Sequence, residues 1–196
     1  RRGIKMNALV MDTSTSFIFL YLIKDDKLVY KFEEEGENNH SEKLMLVIEE
    51  ALKKNDLSVE DLDLIVTGIG PGSYTGLRIS LTIAKMFAWT KNIPLKVISS
   101  LVFLGSGEPN GTYTVTNKAK KGYVYSLDIA INFDEIQILG KEKFLSVEEN
   151  IIEAAAKKVS YIRGPHYLIN PFKIIKNAKE IESLHDLGPN YLREAI

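Results

Sequence analysis

The chain has 196 residues, of which 45% are hydrophobic and 26% charged, as is typical of a soluble globular protein with one large domain or two small ones. Its formal net charge of −1 excludes a chain-wide basic field for nucleic acid, so such a role needs a local patch or a partner. The absence of cysteine excludes disulfides, thiol catalysis and cysteine-ligated zinc.

The first predicted elements are three strands of an antiparallel meander, Asn7–Met11, Phe17–Ile23 and Lys27–Phe32. The apolar run Phe17–Ile23 is too short to span a membrane, and no signal peptide is visible, so we expect a cytoplasmic protein without membrane contact. Between the first two strands lies the polar cluster 12–16, which contains Asp12, Thr13 and Ser14. Such a hairpin can hold a phosphate or a metal-bound water, but ordinary turn chemistry explains it equally well.

A loop over 33–39 and a helix over 41–55 are predicted next. The helix has an apolar stripe at helical spacing, which consists of Leu44, Val47, Ile48 and Ala51, with Met45 and Leu52 at its shoulder. His40, at the start of the helix, is interpreted as a cap or surface residue rather than a metal ligand. Residues 58–61 predict a short capped turn before a buried strand over 62–67.

A glycine-rich turn, Gly70–Gly76, then connects this strand to a helix over 77–89. Gly70, Gly72 and Gly76 permit backbone angles that a Cβ would forbid, and Ser73 or Thr75 can cap the helix. A turn of this kind presents free N–H groups at a helix N-terminus, which suits an anion. A tight connection without any ligand is the open alternative. The turn is neither a Walker loop nor a G-x-G-x-x-G motif.

The helix after the turn has two apolar stripes. The first stripe consists of Leu77, Leu81, Ala84 and Ala88, and the second of Ile79, Ile83, Met86 and Phe87. Because one sheet covers only one side of a helix, we expect another helix, a second copy or a partner to cover the other side. The small residues of the first stripe permit close approach, so we expect that stripe to face outward.

The second half begins at a turn-rich connection, 105–111, and we expect subdomains over 6–104 and 105–196. Strand-like runs cover 112–116, 123–131 and 135–139, followed by a helix over 147–158 with a Ser146–Glu149 capping box and a short strand at 160–162. The order of elements repeats that of the first half in shortened form, so the chain is expected to be α/β with two related βββαβαβ-type subdomains, the second reduced.

Several motifs resemble the TsaB (YeaZ) family of the actin-like, sugar-kinase and Hsp70 (ribonuclease H-like) fold group. The matching segments are 11–15, 40–44, 70–79, 84–85, 93–94, 99–101 and 188–193. The match is dense over 6–102 and thin afterwards. Two features depart from the family: Lys118-Ala119-Lys120 stands where the family tends to have Asp-Ala-Arg, and the second half is short.

The resemblance implies a subunit of the bacterial machinery that forms N6-threonylcarbamoyladenosine (t6A) at position 37 of tRNAs reading ANN codons. Its catalytic paralogue TsaD holds a metal through two histidines four residues apart, and here these positions are His40 and Leu44. One imidazole cannot replace a multidentate site, so we expect no catalytic residue, no metal and no hydrolase activity of the chain alone. The older glycopeptidase label of the family meets the same objection.

The implied partners are TsaD, as a heterodimer, and the ATPase TsaE, with a homodimer when the chain is alone and tRNA contacts only through the complex. The expected partner surface consists of Met45, Ile48, Leu52, Leu77, Leu81, Ala84 and Ala88. We expect no cofactor on the isolated chain and ADP or ATP only in the complex. The expected nucleotide residues are Asp12, Thr13, Ser14, Gly70, Gly72, Ser73, Thr75 and Gly76. An actin-like kinase or ATPase and a homodimeric nucleotide-binding module are the alternatives.

Overall fold

A computed structural model describes residues 5–36 and 40–192 of the chain, with only the backbone of His40 and Ser41. Its strands are β1 (Ala8–Asp12), β2 (Phe17–Lys24), β3 (Lys27–Glu35), β4 (Leu64–Gly68), β5 (Leu95–Ile98), β6 (Gly111–Lys118), β7 (Tyr123–Asn132), β8 (Glu135–Ile138), β9 (Lys143–Ser146), β10 (Ser160–Ile162) and β11 (Lys179–Glu180). Its α-helices are α1 (His40–Lys54), α2 (Tyr74–Lys91), α3 (Ser100–Gly105), α4 (Val147–Lys157) and α5 (Pro171–Asn177). No helix of the described segments is long and apolar enough to cross a bilayer.

The first sheet has six strands in the order β11-β5-β4-β1-β2-β3. Strands β1, β2 and β3 pair antiparallel as the predicted meander, and β1, β4 and β5 pair in parallel. Strand β11 comes from the end of the described chain and pairs antiparallel with β5. The C-terminal region therefore returns to the first sheet. The division into subdomains at residue 105 stays a prediction.

The second sheet repeats the connectivity of the first in reduced form. Its strand order is β10-β6-β7-β8, which corresponds to β4-β1-β2-β3, and β9 pairs additionally with β7. Strand β6 is antiparallel to β7 and parallel to β10, as β1 is to β2 and β4. The α/β fold with two related halves is thus confirmed.

The apolar core forms two layers on opposite faces of the first sheet. Because side chains alternate along a strand, Ala8 and Val10 face one layer while Leu9 and Met11 face the other. The inner layer continues through α3 to the second sheet, and the outer layer lies against α1 and α2. Both faces of β1 are buried, which explains why its sequence is continuously apolar.

The predicted outward stripe of α2 is wrong. Leu77, Leu81, Ala84 and Ala88 are all buried within the chain itself. Helix α1 packs on α2, and the segment 181–187 adds Ile181, Leu184 and Leu187 to the outer layer. The second side of the helix is therefore covered by another helix and by a further segment of the same chain. Another helix was one of the expected covers, whereas the segment 181–187 was not expected because it lies about 100 residues from α2 in the sequence.

Two members of the expected partner surface on α1 are also buried. Ile48 and Leu52 belong to the outer apolar layer, whereas Met45 is 39% exposed. The helical spacing had placed Met45 and Leu52 together at the shoulder of the stripe. Contact with β2 and α2 makes the buried face wide enough to include Leu52 but not Met45.

Some element boundaries differ from the predictions for reasons of pairing and capping. Strand β3 continues through the acidic residues Glu33–Glu35, predicted as loop, because β2 pairs with it as far as Phe17↔Glu35. Helix α2 begins at Tyr74 because Ser73 caps it. The short capped turn at residues 58–61 and the capping box at 146–149 are confirmed, while β9, α5 and β11 were not predicted. Residues 37–39, the side chain of His40 and Arg193 lie outside the described residues.

Candidate functional site: the hairpin contact and the adjoining cleft

The candidate site begins at Asp12, which ends β1 and is fully buried. One carboxylate oxygen, Oδ1, accepts a hydrogen bond from the N–H of Ser14 at 2.7 Å. The other, Oδ2, accepts one from the hydroxyl of Ser100 at 2.5 Å. Burial raises the pKa of Asp12, while the hydrogen bonds from Ser100 and Ser14 oppose that rise. Both oxygens of this carboxylate are therefore engaged within the protein.

Ser100 links Asp12 to the start of the glycine turn. Its hydroxyl accepts a hydrogen bond from the N–H of Gly70 at 2.9 Å, and its own N–H donates to the carbonyl of Gly70 at 2.8 Å. A Cβ on Gly68 would lie 1.7 Å from Oδ2 of Asp12, so no side chain fits there. The sequence predicted that Ser99-Ser100-Leu101 begins a short helix and matches the family, but it did not place Ser100 in the site.

The glycine turn packs directly on the backbone of the hairpin. The Thr13 hydroxyl donates to the carbonyl of Gly76 at 2.6 Å, and a Cβ on Gly76 would lie 1.9 Å from the Thr13 carbonyl oxygen. Ser73 accepts a hydrogen bond from the Gly76 N–H at 3.2 Å and so caps α2. Thr75, the other candidate cap, is exposed in the first turn of the helix. Gly76 is thus required by close backbone approach.

Ser14 completes this contact. Its carbonyl accepts the N–H of Ser73 at 2.7 Å and the side-chain amide of Asn117, from β6, at 3.1 Å. A Cβ on Gly72 would lie 2.4 Å from the same carbonyl oxygen. We call these interactions of residues 12–14 with residues 70–76 the hairpin contact.

The hairpin contact brings the expected nucleotide residues together but leaves no space between them. The N–H of Ser73, which an anion would need, donates to protein instead, and Asp12, Thr13 and Ser14 are buried. A phosphate does not fit between the two segments in this arrangement. The nucleotide assignment of these residues stays a prediction.

A cleft of about 850 Å³ opens beside the hairpin contact, between the ends of β1 and β6. Its walls come from residues 14–17, the end of β6 at 116–119 and the segment 161–167, with Ser73 and Glu35 at the rim. Lys118 and Arg163 supply positive charge to it. This cleft has the size of a small-molecule site.

The C-terminal segment is attached to the other side of the glycine turn. The N–H of Asn190 donates to the carbonyl of Ile69 at 2.6 Å, and its side-chain amide donates to Glu142 at 2.6 Å. Gly70 has φ +105°, and a Cβ there would lie 2.6 Å from the carbonyl oxygen of Asn190. The motif 188–193 was noted only as a family match, and the structure gives it the role of an anchor.

Glu142 holds this anchor against α3. It accepts hydrogen bonds from the hydroxyl of Ser99, the N-cap of α3, and from Asn190. Burial raises the pKa of Glu142, and the hydrogen bonds from Ser99 and Asn190 oppose the rise. Nothing in the sequence singled out this glutamate, because its two partners lie about 45 residues away on either side.

One face of α2 remains exposed, and we call it the α2 outer face. Its members recur at spacings of three or four residues: Tyr74, Arg78, Thr82, Met86 and Trp89. Trp89 is 80% exposed. Beside it, Tyr74, Arg78, Ile79 and Ile83 line a shallow groove of about 400 Å³. Met45 and Leu46 of the neighbouring helix α1 are exposed as well.

A metal site has no support among the described side chains. No group of three or more histidines, aspartates or glutamates within 5–36 and 42–192 is arranged to hold an ion. Leu44, four residues after His40, is fully buried in the outer apolar layer.

Comparison with known proteins gives a consistent result. A family model described as TsaD, tRNA N6-adenosine threonylcarbamoyltransferase, matches residues 34–180. The tRNA threonylcarbamoyladenosine biosynthesis protein TsaB of Bacillus subtilis is 34% identical, over 97% of this chain and 95% of that protein. The protein of the same name from Buchnera aphidicola (subspecies Baizongia pistaciae) is 28% identical, over 78% of this chain and 69% of that one.

Two solved structures share the fold. A Pseudomonas aeruginosa protein described as similar to peptidase YeaZ superimposes with a TM-score of 0.79 at 18% identity, over 96% of this chain and 100% of that one. YeaZ from Pseudomonas aeruginosa has a TM-score of 0.76 at 17% identity, over 95% of this chain and 100% of that one.

Proposed function

The chain belongs to the TsaB (YeaZ) family, and from this premise we propose that it is a non-catalytic subunit required to form t6A at position 37 of tRNA. In this role it is the scaffold and activator of the catalytic subunit TsaD and works together with the ATPase TsaE. It acts in the cytoplasm and meets tRNA only through the complex.

The observation that best supports a non-catalytic role is the burial of Leu44. In the resemblance, TsaD places its second metal-binding histidine at this position. Here a leucine occupies it and is fully buried in the outer apolar layer, on a helix that contacts β2 and α2. An apolar side chain in that environment offers no ligand, and His40 alone does not make a stable site.

Genetic replacement tests the role in t6A formation. Bacillus subtilis depleted of its own TsaB would receive this chain, and the t6A content of its tRNA would be measured by mass spectrometry of nucleosides. We expect t6A to be restored. A folded, abundant chain that restores none would overturn the proposal.

Purified protein tests the absence of catalysis separately. The isolated chain should form no t6A and hydrolyse neither peptide nor ATP at a metal-dependent rate. The alternative of an actin-like kinase is disfavoured because both oxygens of Asp12 are bound by Ser14 and Ser100. Robust metal-dependent ATP hydrolysis that Asp12→Ala abolishes would establish that alternative instead.

The partner surface is proposed to be the α2 outer face together with Met45. These residues leave apolar area exposed on two adjacent helices, and an exposed apolar patch is a common sign of an interface. The same surface serves a two-fold homodimer when TsaD is absent, so TsaD competes with the homodimer.

Charge insertion at Trp89 tests this surface. Trp89→Glu should weaken capture by TsaD and dissociate the homodimer, because the interface would have to desolvate a carboxylate. Ile152→Glu is the matched control, since Ile152 is 68% exposed on α4, a helix of the second sheet. If TsaD captures both folded variants equally well, the partner surface is not on the α2 outer face.

Any ADP or ATP in the complex is proposed to sit in the cleft beside the hairpin contact, next to Lys118 and Arg163. Calorimetry with ADP, on the chain alone and on the complex with TsaD, tests this. Arg163→Ala should weaken binding, whereas Lys27→Ala, at the start of β3, should not. Binding that is indifferent to Arg163 would contradict the placement.

A further inference from the structure

The face of the second sheet that lies under α4 is polar. In the register of β6 and β7, Thr114 lies opposite Asp128 and Thr116 lies opposite Ser126. These four side chains share one face because successive residues of a strand alternate. A helix normally covers an apolar sheet face, so the chemistry of this layer needs another explanation.

A cavity of about 370 Å³ lies between this face and α4, and we call it the α4 pocket. It is lined mainly by hydroxyls, amides and charged groups from β6, β7, α4 and the loop between β8 and β9. The polar and charged lining residues are Thr112, Thr114, Ser126, Asp128, Lys141, Lys143, Asn150, Glu153 and Lys157. Such a volume suits a small metabolite.

Asn150 leaves a hydrogen-bonding group unused in the wall of the α4 pocket. Its side chain is 1% exposed, and its Nδ2 donates to the hydroxyl of Ser126 at 2.6 Å. Among the buried side-chain atoms of the described residues, its Oδ1 is the one without a hydrogen-bond partner. Turning the amide over would leave a donor in place of the acceptor. Either way, a buried polar atom lacks a partner, which native proteins rarely allow.

Charges of both signs surround this orphan atom. Lys143 pairs with Glu153, and Lys157 pairs with Asp128 and, at 3.4 Å, with Glu153. Thr114 donates to Asp128 at 2.6 Å. Lys141 is exposed at the pocket, and it makes no hydrogen bond or ion pair with any described residue.

We propose that the α4 pocket binds a free α-amino acid. A zwitterion matches a lining of three lysines and two carboxylates, which is close to neutral and favours neither a polyanion nor a polycation. Its ammonium group interacts with Asp128 and Glu153 and satisfies Asn150, and its carboxylate interacts with Lys141. A neutral sugar would leave the charges unused. This site is separate from the cleft and from the proposed partner surface.

Binding of single amino acids to the full-length chain tests the proposal. Each of the standard L-amino acids would be added to the protein, with thermal unfolding and calorimetry as readouts. We expect at least one to raise the unfolding temperature and bind at a one-to-one ratio. The N-acetyl and the carboxamide derivatives of the same amino acid should lose that binding, because each lacks one of the two charges.

Two variants locate the binding. Lys141→Ala should weaken it about tenfold, the usual size of one charge-assisted contact, without affecting the fold because Lys141 has no partner among the described residues. Lys121→Ala, in the exposed β6–β7 turn, is the matched control and should bind normally. Asn150→Leu should abolish binding by filling the pocket and removing the orphan atom.

Three outcomes would overturn the proposal. The first is that no amino acid binds, in which case the pocket holds water alone. The second is binding that Lys141→Ala leaves intact. The third is equal binding of the N-acetyl and carboxamide derivatives. None of them affects the proposed role in t6A formation, which is measured on tRNA.

Discussion

The first sheet presents Leu9, Met11, Leu20 and Leu22 to helices α1 and α2, whereas the second presents Thr114, Thr116, Ser126 and Asp128 to α4. The strand order of the two halves is the same. In the first half the layer is closed by apolar contact, and in the second it is polar and encloses a pocket. Shared connectivity therefore does not imply shared packing, since each face takes its chemistry from the residues that alternate onto it.

The strongest test of this difference is to place the charged residue of the second sheet at the corresponding apolar position of the first sheet, and the reverse. Leu9 pairs with Leu22 in the first sheet as Thr114 pairs with Asp128 in the second. Leu22→Asp should lower the free energy of unfolding by about 4 kcal/mol or more, because it buries a carboxylate without a partner. Urea denaturation measures the loss.

The reciprocal change is the control for this prediction. Asp128→Leu should cost about 1 kcal/mol or less, because the partner Lys157 is partly exposed and can turn to water. Equal losses in the two variants would show that the halves do not differ in the way described.

A second prediction separates the two faces of α2 within the first half. Leu81 is 3% exposed, so Leu81→Glu should destabilise the fold by about 3–5 kcal/mol. Met86→Glu, on the α2 outer face, should change stability by about 0.5 kcal/mol or less. Circular dichroism with urea titration measures both. If Leu81→Glu folds with normal stability, the stripe that contains Leu81 is not buried within the chain.

A third prediction compares one glycine from each half. A Cβ on Gly76 meets the Thr13 carbonyl, so Gly76→Ala should cost about 1–3 kcal/mol. A Cβ on Gly140, in the loop beside the α4 pocket, meets no heavy atom within 4 Å, so Gly140→Ala should be neutral within about 0.5 kcal/mol. Thermal unfolding of both variants checks the contrast, and a neutral Gly76→Ala would mean that the hairpin contact is loose.

The smallest expected effect is in the pH dependence of stability. Burial raises the pKa of Asp12 above 3.8. The contribution of Asp12 to the stability of the folded state is therefore present below pH 3.8 and is lost as the pH rises through the folded pKa. For Asp128, burial raises the pKa, but hydrogen bonds from Lys157 and Thr114 outweigh it and lower the pKa below 3.8. Its contribution is present above pH 3.8 and lost as the pH falls through the folded pKa.

Substitution by asparagine should therefore change the two slopes in opposite directions. Asp12→Asn should remove part of the decline in stability above pH 3.8, and Asp128→Asn should remove part of the decline below it. Urea midpoints measured across acidic pH check both. If both substitutions change the slope of stability against pH in the same direction, Asp12 and Asp128 do not have pKa values shifted in opposite directions.

Much of the fold could be predicted because its signals are local. The glycine turn, the capped turn at 58–61, the capping box at 146–149 and most of the strand–helix order each depend on residues within a few positions of one another, and the structure has them where they were expected. Of the candidate site, the proximity of residues 12–14 to residues 70–76 followed from the fold resemblance. The participation of Ser100 and Asn117 could not be predicted, because these residues lie about 30 and 100 residues from the groups that they bind.

By itself, the sequence determined most of the segments that form strands and helices, and the family motifs within them, because periodicity, capping and glycine placement act over a few residues. Only the tertiary structure decided which face of α2 is buried, that Asp12 is fully engaged and that a pocket remains under α4. Each of these depends on segments far apart in the chain that compete to cover the same surface. Whether a face is buried depends on which other segments cover it, so burial cannot be predicted from the sequence of one helix or strand alone.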